Sequence, residues 1–272
     1  MRGFHGPNSR GWRRPCQIRA GEKLNIRSIF NRFALRKAAP AYSSLKSRLA
    51  WHRMPRACLL CGAAAGNRHL CGACLADLPW HSQPQCPHCA TPTPAGQVCG
   101  ACLKHPPAFD RSFAALAYTF PLDRLIPHLK YHGRLAVAPV LGECLARAVA
   151  SAPRPDRLIA MPLHAQRIRE RGFNHATEIA RETAKQLRLP LDVASCRRIR
   201  DTPPQMGLKH AARQRNVRGA FACSDSVRGL HVALIDDVMT TGTSFDELAA
   251  TLKRAGAREV SCWAAARTLP PP

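Results

Sequence analysis

The chain has 272 residues, 46% of them apolar, and a formal net charge of +24. That content supports a packed core and argues against global disorder, and no run of about 18 uncharged apolar residues suggests a membrane-spanning helix. Half of the excess charge sits in residues 1–53, where ten Arg and three Lys face only Glu22, so any nucleic-acid reading of the remainder rests on a smaller but still basic balance.

The leader, residues 1–53, lacks the compact apolar core and small-residue cleavage site of a signal peptide. An Arg-rich, acid-poor leader fits an organelle transit peptide. The plainer expectation is translation from Met54, with 1–53 untranslated or a disordered arm.

Residues 54–108 form the first expected module. Its pairs are Cys58/Cys61, Cys71/Cys74, Cys86/Cys89 and Cys99/Cys102, four CxxC units within 45 residues. A CxxC turn aims two thiolates at one tetrahedral ion, and two such pairs close a structural zinc site. A redox CxxC or an iron–sulfur cluster are the rival readings, and four units together favour zinc. Spacing leaves open one site or two, and adjacent or interleaved pairing. No export signal accompanies the thiols, so a reducing, cytoplasmic setting with metal-held cysteines is expected.

Pro106-Pro107 marks a boundary, and 109–272 is read as an α/β domain. Phe113 to Phe120 reads as a strand. Leu122 to Val149 reads as largely helical, interrupted at Pro127, Gly133 and Pro139, with His128, Lys130, His132 and Arg134 on a solvated basic face. Arg157 to Met161 is a short apolar strand. After it, Arg167, Arg169 and Arg171 form a dense cationic loop suited to a polyphosphate. His164 is expected to be structural, and Asn174 to cap a helix running towards Leu187. Leu191 to Val193 is a strand candidate. The polar stretch that follows, with Pro203-Pro204 and Gly207, is long for a plain connection and reads as a functional cover.

Residues 231–266 carry the sharpest signal. Val232 to Ile235 is an unbroken apolar run, as in a parallel strand buried on both faces. Asp236 and Asp237 follow, then Thr240, Thr241, Gly242, Thr243 and Ser244. Ser244 and Glu247 are spaced as a capping box, Gly256 as a C-terminal αL cap, and Glu259 to Ala266 as a second strand. In such a βαβ unit ligands gather where the strands end. Two adjacent carboxylates suit the vicinal hydroxyls of a ribose. The hydroxyl-rich turn and helix N-terminus suit a phosphate monoester.

IDDVMTTGTS resembles the phosphoribosyl diphosphate (PRPP) motif of type I phosphoribosyltransferases. With the four CxxC pairs, the stretch Arg169 to Asn174 and TPPQMGLKHAARQRN at Thr202 to Asn216, the chain resembles the competence protein F (GntX-like) family over about residues 55–268. The resemblance implies a type I phosphoribosyltransferase fold, a parallel sheet flanked by helices with a hood, behind a zinc-binding module. It implies PRPP or a ribose 5-phosphate nucleotide as ligand, with Asp236 and Asp237 on the ribose hydroxyls and Thr240 to Ser244 around the 5-phosphate. Leu163-His164 corresponds to the pyrophosphate loop, with Arg167, Arg169 and Arg171 as pyrophosphate ligands, and Gln205, Arg213 and Asn216 belong to the hood. Mg²⁺ would accompany PRPP, and a nitrogen nucleophile would displace pyrophosphate from C1. The resemblance also implies a link to DNA uptake, with single-stranded DNA and a DNA-uptake helicase as partners. A non-catalytic PRPP- or nucleotide-responsive factor is the alternative.

Overall fold

The computed structural model describes residues 56–201 and 216–269. These divide into two compact units, with the division between Asp77 and Leu78. The smaller, from residue 56, holds a short helix α1 (Gly72–Ala76), which Cys71 caps and which carries Cys74. The division falls between the two cysteine quartets, so the second quartet is part of the larger unit.

The larger unit begins with α2 (Gly100–Lys104) and is built on a five-stranded parallel sheet. Its strands are β1 (Arg111–Ala117), β2 (Arg157–Ala160), β3 (Leu191–Asp192), β6 (His231–Met239) and β7 (Glu259–Arg267), in the order β1-β7-β6-β2-β3. β4 (Cys196–Arg198) and β5 (Phe221–Cys223) form a separate antiparallel pair. β6 lies at the centre, and Val232 to Ile235 are fully buried, as an apolar run in a two-sided parallel sheet requires.

Between β1 and β2 come α3 (Leu122–His132) and α4 (Val137–Ala148). Of the three expected interruptions only Gly133 ends a helix, in the αL conformation at φ 61°. Pro139 sits in the first turn of α4, where no N–H is needed, and α3 continues through Pro127. α3 buries Leu122, Leu125, Ile126 and Leu129, one face at helical spacing. Two helices follow β2: α5 (Ala165–Arg171) and α6 (His175–Leu187). Asn174 caps α6 as expected. Its Oδ1 accepts from the Ala176 N–H, and its amide donates to the Met161 carbonyl at the end of β2. α7 (Thr243–Arg254) joins β6 to β7 and is followed by Gly256 at φ 93°.

The connection after β6 runs towards β1, whereas the one after β2 runs towards β3. With right-handed crossovers, α6 and α7 therefore cover opposite faces. Neighbouring strands whose connections part in this way leave a crevice beyond their carboxyl ends. Here that crevice lies beyond β6 and β2.

Candidate functional site

A cavity of ≈ 410 Å³ occupies this crevice. Pairing between β6 and β2 stops at Ile235, while β6 stays paired with β7 as far as Met239. Asp236 and Asp237 thus sit on a held strand just where its neighbour has ended, and both line the cavity.

The two carboxylates have different partners. Lys130 Nζ lies 2.7 Å from Asp237 Oδ2, with the Asp237 side chain 3% exposed. Burial alone would raise the Asp237 pKa, but the Lys130 charge outweighs it and holds the group well below the usual carboxylate range. Burial, followed by repulsion from Asp237, pushes Asp236 up. The Lys130 ammonium is disfavoured by burial, yet the facing carboxylates hold its pKa above the ordinary value. His175 stands behind the pair, its Nε2 3.8 Å from Asp236 and 3.7 Å from Asp237. Arg171 Nη1 lies 2.6 Å from His175 Nδ1. Arginine can only donate, so Nδ1 accepts and Nε2 carries the proton towards the carboxylates. Burial lowers the His175 pKa, consistent with the neutral ring.

The expectation of a solvated face does not hold for Lys130. It extends the row Leu122-Ile126-Lys130 at i+4 spacing, so it stands at the end of the buried face of α3. His175 likewise shares a row with buried Ile179 and Thr183 on α6. Those spacings are the available sequence signals for both.

Thr240, Thr241, Gly242, Thr243 and Ser244 wrap one end of the cavity. Gly242 is αL at φ 79° and precedes the first turn of α7, so the N–H groups of that helix end face the turn. The Thr241 and Thr243 hydroxyls lie 2.7 Å apart. The expected Ser244–Glu247 capping box does not form. The cap position is Gly242, Ser244 is already inside the helix, and Glu247 Oε1 instead accepts from the Gly219 N–H at 2.9 Å. Arg267, at the end of β7, supports the turn from behind. Its guanidinium donates to the carbonyls of Met239 (2.9 Å), Thr240 and Thr268, and also to the Cys89 carbonyl at 2.8 Å. No local pattern announces this bracket between a cysteine turn and the hydroxyl-rich turn.

On the opposite wall, Leu163 and His164 follow β2, and both line the cavity. His164 caps α5, its ring nitrogen accepting from the Gln166 N–H at 3.4 Å. The expected cationic loop is the helix α5 itself, and this separates its three arginines. Arg167 and Arg171, four residues apart, share a face and line the cavity. Arg169 projects elsewhere and donates to Gln166 Oε1 at 2.7 Å. Arg198 from β4 and Asp201 complete this wall, and Asp201 lies 3.8 Å from Arg167. Of the hood residues, Gln205 and Arg213 lie outside the described residues, and Asn216 has helical backbone.

The cysteines pair adjacently. Cys58, Cys61, Cys71 and Cys74 form one cluster and Cys86, Cys89, Cys99 and Cys102 another, the sulfurs of each within 4.8 Å of one another. The Cys61–Cys71 and Cys89–Cys99 separations are 3.7 and 3.6 Å. A tetrahedron with zinc–sulfur bonds of about 2.3 Å has edges of about 3.8 Å, so both quartets fit zinc. A four-thiolate site leaves no open position, which makes the metal structural.

The double zinc ribbon domain family matches residues 53–103. DNA utilization protein YhgH of Salmonella typhi is 34% identical over 225 residues, covering 79% of this chain and 99% of that protein. Competence protein F of Haemophilus influenzae is 31% identical over 222 residues, covering 76% of this chain and 96% of that protein. Among solved structures, a glutamine PRPP amidotransferase from B. subtilis complexed with ADP and GMP shares 22% identity at a TM-score of 0.34, over 47% of this chain and 26% of that one. UMP synthase of Leishmania donovani shares 19% at 0.29, over 50% and 22%. The chain thus spans about a quarter of each of these two solved chains. No helix among the described residues is long and apolar enough to cross a membrane. With a parallel sheet flanked by helices, a double zinc ribbon and identity over nearly the full length of these relatives, the chain belongs to the family of DNA utilization protein YhgH and competence protein F.

Proposed function

We propose that the crevice binds PRPP, or a nucleotide carrying ribose 5-phosphate, and that the chain is a phosphoribosyltransferase-like protein of DNA utilization. The observation that carries this reading is that one cavity is lined by a helix N-terminus with hydroxyls, two adjacent carboxylates and the face holding Arg167 and Arg171. PRPP carries a matching group for each: a 5-phosphate, a ribose diol and a pyrophosphate. Asp236 and Asp237 accept the ribose hydroxyls, Thr240 to Ser244 donate to the 5-phosphate, and Arg167 and Arg171 pair with the pyrophosphate. Arg169 is left without a direct role. Thiols held by zinc suit a reducing, cytoplasmic setting.

A transfer reaction would break the C1–pyrophosphate bond through an oxocarbenium-like state. The chain's own contribution is then positioning of the diol and stabilisation of the departing charge by fixed cations. Asp236, facing the cavity, fits a hard cation that keeps most of its waters, whereas Asp237 already holds Lys130. Asp236 would help to hold Mg²⁺ bound with PRPP, and the ion would supply charge neutralisation for the departing pyrophosphate.

Calorimetric titration of the full chain with PRPP and Mg²⁺ tests the assignment, and an absence of binding would sink it. Replacing both Arg167 and Arg171 by Ala is expected to weaken PRPP at least tenfold while changing ribose 5-phosphate much less, because only PRPP carries the second charged group. A second reading is favoured by the names of the relatives, one for DNA utilization and one for competence. In it the protein is a PRPP- or nucleotide-responsive factor that meets single-stranded DNA and a DNA-uptake helicase. PRPP binding without pyrophosphate release across a panel of nucleobases, together with a PRPP-dependent change in single-stranded DNA anisotropy, would select it.

A further inference from the structure

Outside the two quartets, the remaining cysteines among the described residues are Cys144, Cys196, Cys223 and Cys262. Cys144 and Cys262 are fully buried on separate elements. Cys196 and Cys223 face one another across the β4–β5 ladder, in direct register. Their sulfurs are 2.7 Å apart, about an ångström closer than the paired sulfurs 3.6 and 3.7 Å apart within the quartets. The ladder also fixes which kind of pair they form. The Ser224 N–H donates to the Ser195 carbonyl and the Ile199 N–H to the Ala220 carbonyl. Hydrogen-bonded pairs alternate along an antiparallel ladder, so Cys196 and Cys223 occupy a non-hydrogen-bonded position between them. There the Cα atoms lie about 4.5 Å apart, inside the span that a disulfide bridges.

We propose that Cys196 and Cys223 are a reversible thiol-oxidation site, closed to a cross-strand disulfide by a small disulfide or an equivalent two-electron thiol oxidant. Cys223 is the more accessible of the two, half-buried against 6% exposure for Cys196. The hydrogen bond from Cys196, helped by the Arg254 charge, holds the Cys223 thiol below its usual range, while the same bond and burial push Cys196 up. Cys223 therefore attacks first. Its thiolate forms a bond to one sulfur of the oxidant and expels the other as thiolate. The Cys196 sulfur, losing its proton, then attacks Cys223 and expels the second thiolate. Two protein thiols are oxidised, the oxidant is reduced to two thiols, and the two protons pass to them. Two zinc-holding quartets require reducing surroundings, so the bond is a transient, responsive state. It also has a place to act, because Arg198 lies two residues along β4 and lines the cavity. The bond would tie that cavity strand covalently to β5.

The full zinc-loaded chain treated with glutathione disulfide, alkylated and mapped by mass spectrometry, tests this. The expected product is one cross-linked peptide joining Cys196 to Cys223, reversed by dithiothreitol, with two fewer alkylated cysteines per chain. The cross-link should also raise the melting temperature by about 5–10 °C, since it closes a long loop. In C196S the reaction should stop at a glutathione adduct on Cys223, and C223S should leave Cys196 unmodified. A wild-type protein that halts at that adduct would overturn the proposal. So would one in which both residues stay fully alkylated while other thiols react.

Discussion

Two adjacent carboxylates with opposite partners give the crevice an uneven charge. Asp237 is the ionised member, held by Lys130 at 2.7 Å. Asp236 is pushed up by burial and by its neighbour. Their linkage to stability is therefore opposite in sign. For Asp236 the folded pKa lies above the unfolded value of about 4, so its contribution is full below that pH and is lost as pH rises towards the folded pKa. D236N escapes this loss, and its stability relative to wild type should grow from near zero at pH 4 to on the order of 2 kcal/mol at pH 8. Asp237 has a depressed folded pKa, so it stabilises above about pH 4 and the gain disappears as pH falls. D237N leaves Lys130 buried and unpaired and should lose about 3 kcal/mol at pH 8. Thermal melts of both variants across this range, without divalent cations, check the prediction, and shifts of the same sign would contradict this division of charge. Both variants should lose the proposed ribose contact, which separates stability from binding. At this scale, the pair, the hydroxyl turn and the eight ligating cysteines are legible because they are contiguous or regularly spaced. Lys130, His175 and Arg267 do not stand out, since each becomes a site neighbour only when distant helices and strands close.

At the scale of elements, helix packing fixes the geometry of the wall that carries His175. A Cβ on Gly142 of α4 would fall 2.6 Å from Glu182 Cβ and 2.8 Å from the Ile179 carbonyl oxygen of α6. The Thr183 hydroxyl donates to the Gly142 carbonyl at 3.3 Å, tying the two helices at the same point. G142A should therefore force α6 away and cost about 1–3 kcal/mol, read as a lower denaturation midpoint with an unchanged m-value. A neutral outcome would mean that α6 can shift freely, and His175 with it. The strands of the parallel sheet, the Asn174 cap and the Gly256 stop can be read from local pattern. β4 and β5 cannot, lying at the two ends of a stretch that reads as a polar cover. Nor can the helix after β2. A seven-residue run containing three arginines and no buried residue has no apolar period to announce it. Its helical form then separates Arg169 from Arg167 and Arg171, which a loop reading groups together. The Ser244–Glu247 capping box fails for a related reason. Gly242 can adopt φ 79° and start the helix two residues earlier.

Across the whole molecule, the two zinc quartets are expected to differ in what they stabilise. Cys58, Cys61, Cys71 and Cys74 belong to the small unit, which ends at Asp77. The other quartet sits within the larger unit and is hydrogen-bonded into its sheet. The His81 N–H donates to the Ala115 carbonyl, the Ser112 N–H to the Pro87 carbonyl, and the Ala117 N–H to the Pro79 carbonyl. Residues 79–87 thus cover the edge strand β1, which would otherwise present unpaired backbone groups. Arg267 adds the link from Cys89 to the carbonyls of Met239 and Thr240. In the sequence, residues 54–108 read as one module because the four CxxC units look alike, and their spacing holds no information about which of them pairs with a strand. Removing two ligands from each quartet in turn distinguishes their roles. C99S/C102S should bind one zinc instead of two and lower the main calorimetric transition by about 10 °C, as β1 loses its cover and Arg267 loses a fixed acceptor. C71S/C74S should also bind one zinc, yet leave that transition within about 2 °C of wild type. If the phosphate turn depends on the Arg267 bracket, ribose 5-phosphate affinity should fall in C99S/C102S alone. Equal losses in both variants would mean that the quartets act as one cooperative body, and that the bracket from Cys89 to Thr240 does not decide how the turn is held.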